Sequence, residues 1–208
     1  MPERRTIVVL TSLVVGMTLV SGALMLLQPT QSGPLPAASL SSIDTRGVEG
    51  PDDQLVEPLS KFSGSETPWR VVVIHGSRGL TGSMEDLDRA YRQAGAVDSG
   101  YHLVINNGTG KRDGTIEVSQ RWMDQEAGAY VDGDQGRWFN EHGIGVCLVE
   151  DKSGRGYTPA QLRELGWAVR VLCERLSIGP AQVHIDLGPG SPDAERVAEA
   201  VRRAMAGL

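Results

Sequence analysis

From residue 69 onward, apolar runs alternate with glycine-rich breaks, and this pattern predicts both strands and helices. Three segments carry apolar residues at helical spacing and begin near capping residues: Met84–Ala94, Pro159–Leu176 and Asp193–Ala206. The resulting order, β-α-β-β-β-α-β-α, predicts one α/β domain over residues 69–208, with a mixed sheet flanked by helices. Five short runs rich in β-branched residues are typical of its strands: Trp69–His75, Tyr101–Ile105, Thr115–Val118, Gly143–Val149 and Val183–Ile185.

The N-terminal part of the chain has a different pattern. Thr6–Leu27 contains no charged residue, and as a helix it would be about 33 Å long, enough to cross a bilayer core of about 30 Å. Because a cleavable signal peptide has an apolar region of only about 7–15 residues, we expect an uncleaved transmembrane anchor, with a cleaved signal as the alternative. Arg4 and Arg5 predict that residues 1–5 stay in the cytoplasm and that the domain lies outside. Residues 28–68 are predicted as a linker, which opens on a Pro- and Ser-rich stretch over residues 28–42. Residues 43–67 carry weak apolar patches at Leu55–Leu59 and Phe62 and are expected either to pack on the domain or to remain loose.

Charge and cysteine content exclude two classes of protein. The formal net charge is −6, and no basic block follows the N-terminus, which argues against nucleic acid as a partner. Cys147 and Cys173 are the only cysteines and form no CxxC pair, so we expect two buried free thiols rather than a bridge or a zinc ribbon.

The histidines are the first candidates for chemistry. His75 and His184 each follow an apolar strand and precede glycine within a few residues, at strand ends where loops often carry functional residues. Neutral imidazole binds zinc, and a catalytic zinc keeps three protein ligands and one open position. Taken alone, His75 and His184 could be two ligands of one metal ion, or they could be histidines that are only hydrogen-bonded or exposed to solvent. His102 alternates with Tyr101 along a strand, so the two should face opposite sides, and neither His102 nor His142 is predicted as a ligand.

Six segments in order along the chain change this picture. They are Val72–His75, Gly100–Ile105, Asp113–Val118 with Arg121, Asn140–Val149, Tyr157–Leu162 and His184–Leu187. Together they resemble the zinc-dependent N-acetylmuramoyl-L-alanine amidases, the family of phage lysozymes and peptidoglycan recognition proteins, over about Trp69 to Pro192. In the same order, the family patterns are I-V-I-H-H, G-Y-H-F-x-I, D-G-x-I followed by an arginine, N-x-x-S-I-G-I-C-L-V, the start of a long helix, and H-R-D-V.

The resemblance implies an enzyme that uses zinc to hydrolyse the amide bond between N-acetylmuramic acid and L-alanine in peptidoglycan. It implies that His75 and His184 are zinc ligands and that Tyr101 is the catalytic residue beside the metal-bound water. Tyr130 stands where the family commonly has histidine, and with Asn140 and Arg121 it is a candidate substrate-binding residue. Together with the anchor, this places a single-pass protein in the bacterial cytoplasmic membrane, with its domain on the periplasmic or extracytoplasmic side.

The third zinc ligand departs from the family pattern. The family usually has a cysteine eight residues after the second histidine, whereas here Ser191 stands nearest, in a loop one residue short. A serine hydroxyl is a much poorer ligand than a thiolate. Some relatives use an aspartate as the third ligand, so Asp193 is the predicted ligand here and Asp186 is the other possibility. If they do not bind metal, Asp193 would cap a helix and Asp186 would support the site without contacting the metal. Gly190 falls where the family has a basic or hydroxyl residue. Two alternatives therefore stay open, namely a catalytically degenerate module that binds peptidoglycan at the membrane and a purely structural role.

Overall fold

A computed structural model of the chain describes residues 51–61, 68–133 and 136–206. The predicted anchor Thr6–Leu27 and most of the predicted linker lie outside these residues. Within the described ranges, no helix is both long enough and apolar enough to span a bilayer.

The described domain is built on one mixed five-stranded sheet, as predicted. Its strand order is β3-β2-β4-β1-β5; β2 and β3 are antiparallel, and the other neighbours are parallel. β1 and β4 are buried at every position, which fits parallel strands covered on both faces. The strands are β1 (Val71–Gly76), β2 (Leu103–Ile105), β3 (Ile116–Val118), β4 (Gly143–Leu148) and β5 (Val183–Asp186).

The three predicted helices are present, and two of them start at the predicted caps. Ser83 and Thr158 each accept a hydrogen bond from a backbone N–H in the first turn and form a full capping box. Asp193 occupies the N-cap position of the last helix but makes no side-chain cap. In chain order the described helices are α1 (Pro51–Val56), α2 (Met84–Gln93), α3 (Gln120–Asp124), α4 (Gly136–His142), α5 (Pro159–Leu176) and α6 (Ala194–Met205).

Helix α1 and the 3₁₀ turn Glu57–Lys61 fall inside the range predicted as linker. Leu55 is fully buried in the main core, and its carbonyl oxygen accepts a hydrogen bond of 3.0 Å from the indole Nε1 of Trp122 on α3. The first described segment is therefore packed onto the domain rather than free of it. The short helices α3 and α4 were not predicted either.

Alternation along β1 separates two faces of the sheet. Val72 and Ile74 pack into the larger core together with residues of α5 and α6. Val71 and Val73 pack into a smaller core on the opposite face, beneath Leu87 of α2, and His75 shares that face. Cys147 and Cys173 are both buried and unbridged, as predicted.

His102 is a fully buried part of this scaffold and not a ligand. Its Nδ1 accepts the backbone N–H of Gly145 at 2.9 Å, so Nε2 carries the proton and donates to the carbonyl oxygen of Glu126 at 3.0 Å. Desolvation by burial lowers the pKa of His102 to about 4. The imidazole is therefore neutral at pH 7 and ties β2 to β4 and to the loop after α3.

We expect this buried imidazole to make the domain acid-sensitive. The pKa of His102 is about 6.5 in the unfolded chain and about 4 in the folded domain. Between these two values the unfolded chain binds a proton that the folded domain does not bind, so folding stability falls as the pH falls. The loss should reach about 3 kcal/mol near pH 4. His102→Phe should cost about 2 kcal/mol at pH 7, because two backbone groups lose their partner. The variant should also lose less stability than wild type between pH 7 and 4.5 in urea titrations. His142→Phe is the control, and equal pH dependence in wild type and His102→Phe would contradict the assignment.

Candidate functional site

His75 lies one residue before the end of β1, an interior strand between β4 and β5, and its ring is buried. The ring centroids of Tyr101 and Tyr130 lie 5.9 and 5.4 Å away, and Nε2 is buried without a hydrogen-bond partner in the described structure. Desolvation lowers the pKa of His75, and the nearby carboxylate of Asp186 partly opposes this. A lowered pKa keeps the imidazole neutral at pH 7, the form that binds metal ions.

The neighbouring strand β5 brings two further donors to the same face. His75 is in register with Asp186, and His184 is in register with Val73, two residues earlier. An Asp186 carboxylate oxygen lies 3.7 Å from His75 Nδ1. His184 is exposed, and its ring centroid lies 5.5 Å from that of Phe139 on α4.

Asp193, the predicted third ligand, lies elsewhere. Its carboxylate forms an ion pair of 2.6 Å with Arg196 on α6, and it packs so closely on Gly156 that a Cβ there would lie 2.5 Å from Oδ1. Asp193 also acts electrostatically on Tyr157, which belongs to the core on the face opposite His75. The structure thus brings Asp186, and not Asp193, to His75.

The predicted ligands do not form a closed metal shell in this structure. Across residues 51–61, 68–133 and 136–206, no group of three or more His, Cys, Asp or Glu side chains lies close enough to hold a metal ion. Ser191 lies in the partly exposed loop between β5 and α6, after two glycines with positive φ, Gly188 and Gly190. Zinc binding by His75, His184 and Asp193 remains a prediction.

Tyr101 is buried, and its ring lies beside that of His75. Its ring stacks on that of Tyr130, with centroids 5.8 Å apart and planes 16° apart. The Tyr101 hydroxyl has no hydrogen-bond partner at ordinary distance and angle, although Tyr91 and the Cys147 thiol lie near it. Burial raises the pKa of Tyr101 well above its usual value, so the phenol stays protonated and can donate.

Tyr130 forms the floor of this aromatic cluster. Its hydroxyl donates to the Phe139 carbonyl oxygen at 2.8 Å, and it is only 5% exposed. Glycines make room for the ring, because a Cβ at Gly145 would lie 2.5 Å from its edge and one at Gly128 would lie 2.4 Å away. The tyrosine therefore fills the space beside His75 and holds α4 through its hydroxyl.

Asn140 and Arg121, the other two predicted substrate-binding residues, make internal contacts. The Asn140 side chain accepts from the backbone N–H groups of Tyr130 and Val131 and donates to the Val131 carbonyl oxygen. Arg121 pairs with Asp98 at 3.0 Å and donates to a backbone carbonyl. These contacts position the segment that carries Tyr130, and a direct contact with substrate remains a prediction.

Arg78 is a site residue that the sequence reasoning missed. It follows β1 in a left-handed conformation with φ of 53°, and its charge lowers the pKa of His75 and opposes the rise in the pKa of Tyr101. Its guanidinium is about half exposed and lies 3.6 Å from Asp132. The sequence Gly-Ser-Arg-Gly indicated only a turn. The turn nevertheless places a positive charge near His75, whereas Gly190, at the position where the family has a basic or hydroxyl residue, provides none.

Fold and site together define a mixed-sheet α/β protein with imidazole, carboxylate and phenol groups gathered at the end of β1. The sequence model of the N-acetylmuramoyl-L-alanine amidase family matches residues 65–195, and the chain belongs to this family. No curated protein matches the chain significantly.

The chain is similar to solved amidase and endolysin structures at low sequence identity, and one of them, LysC, shares its fold. The N-acetylmuramoyl-L-alanine amidase LysC from Clostridium intestinale URNW is 19% identical, with a TM-score of 0.50 over 65% of this chain and 87% of that one. The endolysin amidase LysCS from the same organism is 20% identical, with a TM-score of 0.45 over 57% of this chain and 69% of that one. A mutant endolysin from Bacillus subtilis is 14% identical, with a TM-score of 0.47 over 69% of this chain and 88% of that one.

Proposed function

We propose that this chain is a zinc-dependent peptidoglycan amidase that hydrolyses the bond between N-acetylmuramic acid and L-alanine. The observation that carries the proposal is the juxtaposition of His75, Asp186 and Tyr101 in a chain of this family. The predicted anchor would hold the domain at the outer side of the bacterial cytoplasmic membrane, where peptidoglycan lies.

The donor chemistry of this strand end fits zinc. Imidazole nitrogens and a carboxylate oxygen are common zinc ligands, and His75 is held neutral while Asp186 stands beside it. His184 would complete the set, although its ring lies against Phe139 in this structure. When bound, zinc supplies a water activated near neutral pH and polarises the amide carbonyl.

The protein's own groups would act on the substrate around this centre. Tyr101 presents a protonated hydroxyl, with Tyr91 and the Cys147 thiol nearby, and this hydroxyl can donate to the carbonyl oxygen as negative charge develops there. The guanidinium of Arg78 adds positive charge from the solvent side. The stacked rings of Tyr101 and Tyr130 exclude water from the inner side of His75, which strengthens these electrostatic interactions.

The test uses the full-length chain in detergent with a purified N-acetylmuramoyl-peptide. We expect mass spectrometry to detect one new product, a stem peptide with a free L-alanine amino group. Dialysis against a strong chelator should abolish its release, and added Zn²⁺ should restore it. The stem peptide's other amide bonds are an internal control, because they should stay intact. Absence of product from the metal-loaded chain would overturn the proposal.

A second function is favoured by Ser191 and Asp193. Ser191 stands where the family usually has a cysteine ligand, and Asp193 is paired with Arg196. If these positions leave the metal site incomplete, the chain would bind peptidoglycan fragments without hydrolysing them. Such a module would show saturable binding of the same muramoyl-peptide in calorimetry, with neither zinc in the protein nor product in the assay.

A further inference from the structure

We propose that Arg78 binds a free carboxylate of the stem peptide, on the residue that follows L-alanine, and so makes the site prefer acidic over amidated stem peptides. The inference rests on the proposed function, since it concerns the peptide side of that substrate. It starts from two features of one residue, a strained backbone in a fixed turn and a guanidinium at the mouth of the site.

The backbone conformation of Arg78 is not that of a helix end. Among the residues that the structure describes, three that are not glycine have a positive φ, namely Arg78, Gln125 and Ser177. Gln125 and Ser177 are the C-caps of α3 and α5, where a left-handed residue is common. Arg78 instead lies in the loop between β1 and α2, where φ of 53° is unfavourable for a bulky L-residue. Strain of this kind persists where the surroundings hold it in place, and it clusters at ligand-binding sites.

The turn around Arg78 is held in place by its neighbours. Arg78 and Gly79 both have a positive φ, and a hydrogen bond of 3.1 Å from the Leu80 backbone N–H to the Ser77 carbonyl oxygen closes the turn. The buried Ser77 hydroxyl donates to the Leu80 carbonyl oxygen and accepts the Glu150 backbone N–H at 2.9 Å. The Glu150 carboxylate accepts the Gly79 backbone N–H at 2.5 Å. Turns of this hand favour Asn-Gly, so arginine stands here against the local preference and points in a fixed direction.

The guanidinium of Arg78 lies close to the groups of the proposed reaction. Its positive charge lowers the pKa of His75 and opposes the rise in the pKa of Tyr101. Its side chain is 57% exposed, and its ion-pair partner among the described residues is Asp132, 3.6 Å away and 93% exposed. At this distance and exposure the ion pair is weak, so the guanidinium N–H donors can accept an incoming group in its place.

A carboxylate is the group that this position fits. The planar guanidinium presents paired N–H donors that match the two oxygens of a carboxylate. Asp132 and Asp186 put two exposed carboxylates beside the same site, so an anionic peptide needs the charge of Arg78 to approach. In the proposed substrate the muramic acid carboxyl is part of the scissile amide, so the free carboxylates belong to the peptide. The nearest of them lies about 5–6 Å from the amide nitrogen, within reach of an arginine side chain close to His75 and Tyr101.

The experiment compares two muramoyl-peptides that differ only at the second residue of the peptide, which carries a carboxylate in one and a carboxamide in the other. For the full-length chain loaded with Zn²⁺, kcat/KM should be about 10- to 100-fold higher for the carboxylate form, as for a charge-assisted hydrogen-bonded pair. Arg78→Gln should remove this preference, mainly by raising KM for the carboxylate form. Its activity on the carboxamide form should fall by no more than about threefold, because an exposed guanidinium acts weakly at a distance.

Two further variants test whether the effect belongs to the guanidinium at this position. Arg112→Gln is the matched control, because it removes the same charge from an exposed turn between β2 and β3 and should leave the preference unchanged. Arg78→Lys keeps the charge but lacks the paired donors, so it should retain only part of the preference. An equal loss on both substrates in Arg78→Gln, or a wild-type chain without preference, would overturn the inference.

Arg78→Gly tests the strain separately from the charge. Glycine adopts φ of 53° without steric cost, so the urea midpoint of this variant should equal or exceed that of wild type. The variant should nevertheless lose the preference for the carboxylate form. A urea midpoint below that of wild type would show that Arg78 serves folding and would overturn the inference.

Calorimetry on the zinc-free chain with the same two peptides separates this inference from the proposed function. If the chain binds the carboxylate form more tightly but cleaves neither form when it is loaded with Zn²⁺, only the amidase activity fails. If it cleaves both forms equally well, only the role of Arg78 fails.

Discussion

His75→Ala should lower amidase activity about 10³-fold or more, because removal of this imidazole removes the buried donor around which the site is built. Loss of several kcal/mol of transition-state stabilisation corresponds to this factor. The measurement is kcat/KM for release of the L-alanine stem peptide, made on protein loaded with Zn²⁺. We expect the zinc content of the purified variant to fall in parallel.

Two further variants separate chemistry from folding in this experiment. His75→Asn keeps much of the side-chain volume but is a poor zinc ligand, so it should lose activity while its urea midpoint stays closer to wild type. His142→Ala makes a similar change outside the site, where the ring contacts only Pro68 O and Trp138 among the contacts described, and it should keep near-wild-type activity. Full activity in both His75 variants would rule out this histidine as part of the centre.

Trp122→Ala should destabilise the domain by about 4 kcal/mol. The indole is fully buried, lies 6.0 Å from the Trp69 ring and donates to the Leu55 carbonyl oxygen. Its removal leaves a large cavity and an unpaired buried carbonyl, and these are the two main causes of large losses. The measurement is equilibrium urea unfolding followed by far-ultraviolet circular dichroism, since the substitution also removes a fluorophore.

Trp138→Ala is the matched control for this substitution. Trp138 is 47% exposed, so its removal should cost no more than about 1 kcal/mol. Trp122→Phe should fall between the two, because it keeps ring volume but loses the Nε1 donor. In Trp122→Ala, limited proteolysis should cut residues 51–61 faster than in wild type. Equal stability of Trp122→Ala and wild type would contradict the packing described for α1.

The sheet and its main helices were predictable because their signals are local. The β-branched run before His75 and the capping residue Thr158 both mark elements that the structure contains. Helix α1 gave only the weak apolar patch that contains Leu55, because a six-residue segment depends on Trp122, far along the chain, for its stability. Helix α3 is equally short, and its order comes from the Ser119 cap and burial of Trp122.

His75, His184 and Tyr101 were named as candidates from the strands that carry them and from the family resemblance, and their roles stay predictions. What the sequence could not give is the geometry around them. The pairing of His75 with Asp186 depends on the register of β1 and β5, which are more than a hundred residues apart in the sequence. Strand register between distant segments follows from packing of the whole core, so the sequence alone could not show that Asp186 lies beside His75.

The contact between Trp122 and Leu55 also has a mechanical meaning. In the order of the chain, α1 comes before β1, and the burial of Leu55 joins α1 to the domain ahead of that strand. Tension applied to the chain before residue 51 is therefore borne first by the packing of α1 and reaches β1 only after that helix detaches. We therefore expect a pulling force on the N-terminal part of the chain to unfold α1 before it displaces His75.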